Sequence, residues 1–139
     1  MGIKHLDDLN ALKAAVAFKE EVYAIVRASP EANRDLKYRT QLFDAAGSIE
    51  GNIAEGWGRK GAGQMTLFLG YAIGSLEEAR RRLLDGVARG YFPESICVKA
   101  LEHARHCGGA TVNLKRSLEP FIRRKPTRRK QARKPKPPD

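Results

Sequence analysis

The sequence QLFDAAGSIEGNIAEGWGR, residues 41–59, carries two helical patterns at once. Apolar side chains recur at steps of three or four and so share one helical face: Leu42, Ala46, Ile49, Ile53 and Trp57. Polar side chains follow the same spacing on an adjacent face: Gln41, Asp44, Ser48, Asn52, Glu55 and Arg59. Gly47 and Gly51 occupy much of the remaining surface. Because an ordinary surface helix has one apolar stripe and one solvated face, this pattern predicts a helix that contacts neighbours on most sides.

Helical periodicity continues on both sides of this stretch. We predict four helices, over residues 6–27, from 35 to the glycines at 56–63, over 64–89 and over 93–121. Ser29-Pro30 ends the first helix, because the residue before proline disfavours helical backbone, and residues 29–35 are predicted to form a polar loop. Four amphipathic helices with short connections predict an all-α protein, with an antiparallel up-down-up-down four-helix bundle over residues 1–122.

Glycine pairs mark two of the predicted helices. Gly70 and Gly74 lie four residues apart in the third helix and therefore face the same way. Such spacing often marks a close crossing, so we predict that another helix approaches at these positions. In the fourth helix, Gly108-Gly109 weakens the middle and is a candidate for a bend.

Several motifs resemble the 23S rRNA intervening-sequence protein family. In the central stretch they are Ser48-Ile49, Asn52-Ile53-Ala54-Glu55-Gly56 and, after an aromatic residue, Gly58-Arg59; Gly74-Ser75-Leu76-Glu77-Glu78 and Gly90-Tyr91 follow later. The family usually has Pro-Ser where this chain has Glu50-Gly51. The resemblance covers residues 6–120 and implies an antiparallel four-helix bundle that assembles into a homopentamer. A distantly similar bundle, the accessory protein of diversity-generating retroelements, is a basic pentamer that binds nucleic acid and a reverse transcriptase.

Charge is distributed unevenly along the 139 residues, whose formal net charge is +10. The tail, residues 123–139, contributes nine basic residues against Asp139 and therefore carries +8. The other 122 residues contain 17 basic and 15 acidic residues, a balance of only +2. Because the tail has no aliphatic residue larger than Ala132, it cannot bury enough apolar surface to offset chain entropy, and we predict that it is disordered.

The composition of the tail predicts a function. Its cations are interleaved with prolines, as in nucleic-acid-binding arms: Arg123, Arg124, Lys125, Arg128, Arg129, Lys130, Arg133, Lys134 and Lys136. Neutralising phosphates releases counterions, which gives strong binding without sequence preference. The tail has no aromatic residue, so it cannot stack on bases. The alternatives are a solubilising extension without a specific partner and, less favoured because no apolar anchor accompanies the charge, an anionic membrane surface.

A second basic group lies in the third predicted helix. Arg80, Arg81 and Arg82, together with Arg89, form a candidate phosphate-binding patch. The alternative interpretation is a solvated helix face, because carboxylates three to five residues away can neutralise part of the charge: Glu77, Glu78 and Asp85.

The polar face of the central stretch predicts a hydrogen-bonded network with the third helix. Its candidate members are Ser48, Asn52, Glu55, Arg59, Ser75 and Glu77. Such a network can fix helix register and subunit contacts, or it can line a ligand or catalytic pocket. The set has one carboxylate with an amide and a hydroxyl but no evident nucleophile–base pair, so we predict that the protein is not an enzyme and needs no cofactor.

The histidines and cysteines give little sign of a metal site. His103, His106 and Cys107 have helical spacing that would allow a shared ion, but zinc usually needs three or four protein ligands and no second cluster completes the set. Cys97 and Cys107 lie about 15 Å apart along one predicted helix, too far for a disulfide. We therefore predict no metal and a reducing cytoplasm.

These observations predict a cytoplasmic, non-enzymatic homo-oligomer. The N-terminus lacks the apolar run of a signal peptide, and no stretch is long and apolar enough to span a membrane. Its predicted partners are further copies of itself and nucleic acid, either RNA or DNA. The alternative is a structural or adaptor oligomer whose partner is a protein such as a reverse transcriptase.

Overall fold

The structure is a computed structural model that describes Leu6, residues 9–122 and Pro138. These residues contain five α-helices and no strand: α1 (Asn10–Ala28), α2 (Pro30–Arg34), α3 (Leu36–Gly58), α4 (Ala62–Ala88) and α5 (Val98–Leu118). Short 3₁₀ helices precede and follow α5, at Glu94–Cys97 and Glu119–Phe121. The prediction of an all-α protein is confirmed, and the four predicted helices correspond to α1, α3, α4 and α5.

The four long helices surround one apolar core. α1 packs against α3 and α5, and α4 packs against the same two helices, so the contacts close a ring. The apolar stripe of the central stretch supplies the α3 side of the core, because Leu42, Ala46, Ile49 and Ile53 are fully buried and Trp57 is half-buried. α1, α4 and α5 contribute the facing side chains, among them Phe18, Leu69, Leu83 and Cys107. This ring is the arrangement that a four-helix bundle has.

The segment predicted as a polar loop, residues 29–35, is instead the short helix α2. Ser29 caps it, since the Ser29 hydroxyl accepts a hydrogen bond from the Ala32 N–H at 3.2 Å, and Pro30 occupies the first helical position. Asp35 then caps α3 by accepting from the Tyr38 N–H at 3.1 Å. The loop prediction was wrong because the Ser-Pro pair that ends one helix also begins the next.

Within the chain, the predicted close approach at Gly70 and Gly74 is also wrong. A Cβ atom at Gly74 would meet nothing within 4 Å, and one at Gly70 would meet only the Lys115 Nζ at 3.8 Å. The close contact of α4 lies at Gly86, where a Cβ atom would collide with the Tyr38 hydroxyl and the Phe92 ring. α5 continues as one helix through Gly108-Gly109.

Three contacts between α3 and α4 show the relative direction of the two helices. The Tyr38 hydroxyl donates to the Arg82 carbonyl at 2.9 Å, and Ser75 Oγ donates to Ser48 Oγ at 3.0 Å. Gly56 lies against Phe68, since a Cβ atom there would be 2.9 Å from Phe68 Cβ. Residue numbers thus rise along α3 while they fall along α4.

Candidate functional site

Three of the six predicted network residues form one hydrogen-bonded group. Ser75 on α4 donates to Ser48 on α3, and Asn52 Nδ2 donates to both the Ser48 carbonyl at 2.8 Å and Ser48 Oγ at 3.0 Å. All three side chains are half-buried at the line where the helices meet. These are neutral hydrogen bonds between two packed helices, and they fix the register of α3 against α4.

The other three predicted network residues lie in separate, exposed ion pairs. Arg59 donates to Glu55 Oε1 through Nε at 3.0 Å and Nη2 at 2.8 Å, four residues apart on α3. Glu77 pairs with Arg80 at 3.3 Å on α4. The structure therefore separates Glu55, Arg59 and Glu77 from the Ser48–Asn52–Ser75 group.

The arginine patch, residues 80–82, is partly neutralised. Arg82 donates from Nε to Glu78 Oε1 at 3.0 Å and from Nη1 to Gln41 Oε1 on α3 at 2.8 Å. Arg80 makes only the exposed pair with Glu77, which leaves it accessible. Arg81 is exposed and pairs with no carboxylate of the described residues. Arg80 and Arg81 are thus the arginines of the patch best placed to contact a phosphate.

One end of the α3–α4 pair is held by a network that the sequence did not predict. We call it the closed end: Asp35, Tyr38, Gly86, Tyr91 and Phe92. The Tyr91 hydroxyl donates to Asp35 Oδ2 at 2.5 Å, and Tyr38 and Phe92 are buried around Gly86. The hydrogen bond from the Tyr91 hydroxyl lowers the pKa of Asp35 most, and the hydrogen bond from the Tyr38 N–H lowers it further.

Arg89 adds charge to the closed end. Its guanidinium donates to Asp85 Oδ2 at 2.7 Å, lies 3.5 Å from Asp35 Oδ2 and sits 5.6 Å from the centre of the Tyr38 ring. Arg89 therefore faces two carboxylates, although the sequence grouped it with the arginine patch. Burial raises the pKa of Tyr38, so its hydroxyl stays protonated and donates to the Arg82 carbonyl.

The opposite end of the pair consists of residues 55–71, and we call it the open end because residues 58–61, at the end of α3 and in its connection to α4, are exposed. Gly58, Gly61 and Gly63 have no neighbour within 4 Å of a Cβ position, and Gly61 has a φ of 103°, which favours glycine. Tyr71 is 52% exposed and makes an edge contact with Phe68, with ring centroids 5.5 Å apart. The Arg59 guanidinium lies 5.4 Å from the centre of the Phe68 ring.

The nine cations of the tail lie outside the described residues. The last described helical turn, Glu119–Phe121, packs against α4, and Phe121 is 74% exposed. Two predictions therefore stay predictions made from the sequence: that the cations of residues 123–136 bind nucleic acid, and that the tail is disordered.

The histidine and cysteine candidates lie in different environments. Cys107 is buried with Sγ 3.6 Å from the Ala11 carbonyl, whereas His106 is exposed and lies 3.2 Å from Glu102. Burial raises the pKa of the Cys97 and Cys107 thiols, and both cysteines are free. Leu6, residues 9–122 and Pro138 contain no group of three or more potential ligands arranged to hold a metal ion. No helix in this described part has the length and apolar content needed to cross a membrane.

Sequence reasoning missed several contacts between helices, and two of them involve residues that the sequence had singled out. Lys19 on α1 pairs with Glu50 on α3, and Glu50 raises the pKa of Lys19 through this bond. Gln41 accepts from Arg82 as described above. The sequence had singled out both residues, Gln41 as part of the polar face and Glu50 as a departure from the family motif. Their partners could not be predicted, because periodicity does not show which side chain of another helix lies opposite.

The fold and these contacts define an all-α protein whose four long helices share one core and whose described surface includes the accessible cations Arg80 and Arg81. The sequence model of the 23S rRNA-intervening sequence protein family matches residues 7–112. The chain therefore belongs to this family, and the resemblance seen in the sequence is confirmed. No curated protein and no solved structure gave a significant match.

Proposed function

We propose that this protein is a non-enzymatic oligomer that binds RNA or DNA electrostatically, through its tail and the arginine patch. The observation that carries the proposal is the charge distribution, since residues 123–139 hold +8 while the rest of the chain holds +2. Each phosphate that the tail neutralises releases counterions, so the binding is expected to be salt-dependent and indifferent to sequence. Arg80 and Arg81 extend this surface onto the body.

The proposal includes an antiparallel up-down-up-down bundle. Two observations support it. Residue numbers rise along α3 as they fall along the facing side of α4, and they rise along α5 as they fall along α4. Gly108 lies against Leu76, at 3.4 Å from a Cβ position, and Lys115 lies against Gly70. Short connections join the successive helices, as antiparallel neighbours require.

We also propose that the bundle forms a homopentamer, the assembly implied by the family resemblance. Open space above Gly47 and Gly51 supports it, because a helix of another subunit can approach a glycine closely. Oligomerisation places several tails on one particle. When several arms engage one strand, avidity can rise by about 10²–10⁴-fold without any new contact. A cytoplasmic setting is part of the proposal, supported by the two free, buried cysteines.

The test compares three proteins in fluorescence-anisotropy titrations at several salt concentrations. They are the full chain, a chain ending at Ile122, and a full-length variant in which all nine tail cations are glutamine. The full chain is expected to lose affinity steeply with salt, and the other two should bind weakly with a flatter slope. Equal affinity and slope in all three would contradict the role of the tail and assign binding to Arg80 and Arg81.

A second candidate function is an adaptor for a protein partner such as a reverse transcriptase. Exposed apolar side chains around the starts of α3 and α5 favour it: Leu36 at 65%, Ile96 at 50% and Val98 at 63% exposure. Exposed apolar side chains of this size mark protein contacts when they form one patch. Absence of binding by all three proteins of the titration would favour this function.

A further inference from the structure

The tail contains no aromatic residue, but the open end of the bundle does. We propose that the open end is a binding surface for single-stranded nucleic acid, in which Tyr71 stacks on an unpaired base and the surrounding cations contact phosphates. This inference rests on the proposed function and adds to it the preference for single strands. Aromatic side chains on which bases stack, combined with a positively charged surface, are the usual elements of such sites.

Tyr71 has the placement that stacking requires. Its side chain is 52% exposed, although most large aromatic side chains are buried in a folded protein. The edge contact with Phe68 has an interplanar angle of 88°, and Phe68 is itself held between Gly56 and the Arg59 guanidinium. The Tyr71 ring is therefore supported from one side and accessible from the other, so little conformational entropy is lost when a base packs against it.

Cations occur in the segments that meet at the same end of the bundle as this ring. They come from the end of α3, the following turn and the end of α5: Arg59, Lys60, Lys115 and Arg116. Glu55, which pairs with Arg59, and Glu119 are the acidic residues of these segments. Lys60, Lys115 and Arg116 form no ion pair with any residue from 9 to 122. Lys60 of the open end and the end of α5 thus offer cations that are not already neutralised.

The tail begins at this end of the molecule. Leu76 lies against Gly108, and Gly70 lies against Lys115, so the residues that follow Lys115 approach the first turns of α4. Glu119–Phe121 packs on α4 as this order requires. Phe121, 74% exposed, is a second aromatic candidate only two residues before Arg123. A nucleic-acid strand that binds to the start of the tail is therefore close to Phe121 and to the end of the bundle that carries Tyr71.

The occupant is a single strand because bases of a duplex are already stacked on one another. An aromatic side chain reaches a base face only where the strand is unpaired, in a loop or at an end. The tail by itself binds single and double strands alike through phosphates. Discrimination between them must therefore come from the body, and the open end is the described surface that combines exposed aromatic rings with unneutralised cations.

The test uses full-length Tyr71→Ala and Tyr71→Phe with two probes, a uridine-rich single-stranded RNA and an RNA duplex of equal length. Tyr71→Ala is expected to weaken single-strand binding by about 5- to 30-fold and duplex binding by less than about 2-fold, whereas Tyr71→Phe keeps the stacking ring and wild-type affinity. The salt slope should not change, since stacking releases no counterions. Thr40→Ala, which removes an exposed side chain near the other end of α3, is the control and should bind as wild type.

Two results would overturn the inference. The first is wild-type affinity of Tyr71→Ala for the single strand. The second is a fall in the light-scattering mass of Tyr71→Ala, which would show that Tyr71, with the neighbouring exposed Leu67, contacts a second copy of the chain. In both cases the wild-type chain would still bind RNA and the proposed function would stand. A wild-type chain that binds neither probe would contradict the proposed function and this inference together.

Discussion

The closed and open ends of the α3–α4 pair differ at Gly86 and at the turn that follows α3. At the closed end, Gly86 leaves room for the Tyr38 hydroxyl and the Phe92 ring, and nothing larger than hydrogen fits there. At the open end, Gly58, Gly61 and Gly63 adjoin empty space, and Gly61 supplies a φ that other residues rarely adopt. Glycine also packs closely at the open end, at Gly56 against Phe68, and reverses the chain beside the closed end, at Gly90 with a φ of 78°. The ends therefore differ in how tightly their aromatic side chains are packed rather than in their use of glycine.

The aromatic residues differ between the ends in the same way. Tyr38 is 4% exposed and gives its hydroxyl to a backbone carbonyl, whereas Tyr71 is 52% exposed. A buried aromatic ring with a satisfied hydroxyl contributes to stability, and an exposed ring among cations is available to a partner. We conclude that the closed end holds the bundle together, and we propose that binding takes place at the open end.

The largest expected effect comes from filling the space at the closed end. Gly86→Ala places a methyl group in the Tyr38 hydroxyl and the Phe92 ring, and these buried rings cannot move without disturbing the core. We expect a loss of about 3 kcal/mol in the free energy of unfolding, measured by urea denaturation, as for other overpacked cores.

Gly74→Ala in the same helix is the matched control. A Cβ atom there meets nothing within 4 Å of the chain, so the higher helix propensity of alanine should stabilise the protein by about 0.5–1 kcal/mol. Equal effects of the two substitutions would contradict the distinction between a packed and an open glycine. Destabilisation by Gly74→Ala alone would show that a helix of another subunit approaches there.

A smaller effect is expected on the pH dependence of stability, to which Asp35 contributes at the closed end. Hydrogen bonds from Tyr91 and Tyr38 lower the pKa of Asp35 in the folded protein. The stability contributed by this carboxylate is therefore present above its unfolded pKa, about 3.9, and is lost as the pH falls through the lower folded value. Asp35→Asn keeps a capping oxygen but removes the charge.

Unfolding of wild type and Asp35→Asn should be followed by circular dichroism from neutral to strongly acidic pH. The wild type is expected to lose its advantage over the variant as the pH falls. Asp44→Asn removes an exposed carboxylate from the same helix and is the control variant. Parallel profiles of wild type and Asp35→Asn would show that the carboxylate does not stabilise the closed end.

The smallest effect is expected between the two ends, at the Ser48–Asn52–Ser75 group. Ser75→Ala removes one cross-helix hydrogen bond of half-buried hydroxyls and should cost about 0.5–1.5 kcal/mol. Glu77→Gln, two residues away, disrupts only an exposed ion pair and should change stability by less than about 0.5 kcal/mol. If the two variants unfold at the same urea concentration, the hydroxyl contact does not set the helix register.

The difference between the ends lies beyond what helical periodicity can predict. The spacing of Leu42, Ala46, Ile49 and Ile53 correctly predicted the buried face of α3, because a helix repeats its own geometry. Periodicity gives no information on which residue of another helix lies opposite. Gly74, singled out by its spacing to Gly70, therefore proved open, while Gly86 proved closely packed.

The candidate site was predictable in one respect. Composition alone identified the basic tail, since charge counts need no structure. It could not show that Arg82 is engaged by Glu78 and Gln41 while Arg81 faces solvent, because such pairings depend on the packing of α3 against α4. Nor could it show that Tyr71 is exposed, since an aromatic residue at helical spacing is usually part of the core.

The central claim is that an oligomer presents several basic tails to one strand of nucleic acid. Native mass spectrometry of the full chain, mixed with a short single-stranded RNA, tests assembly and binding in one measurement. We expect a pentamer of 15.4 kDa chains that carries RNA, and a pentamer that retains much less RNA when the chain ends at Ile122. A single 15.4 kDa chain, or a pentamer of full-length chains that carries no RNA, would contradict it.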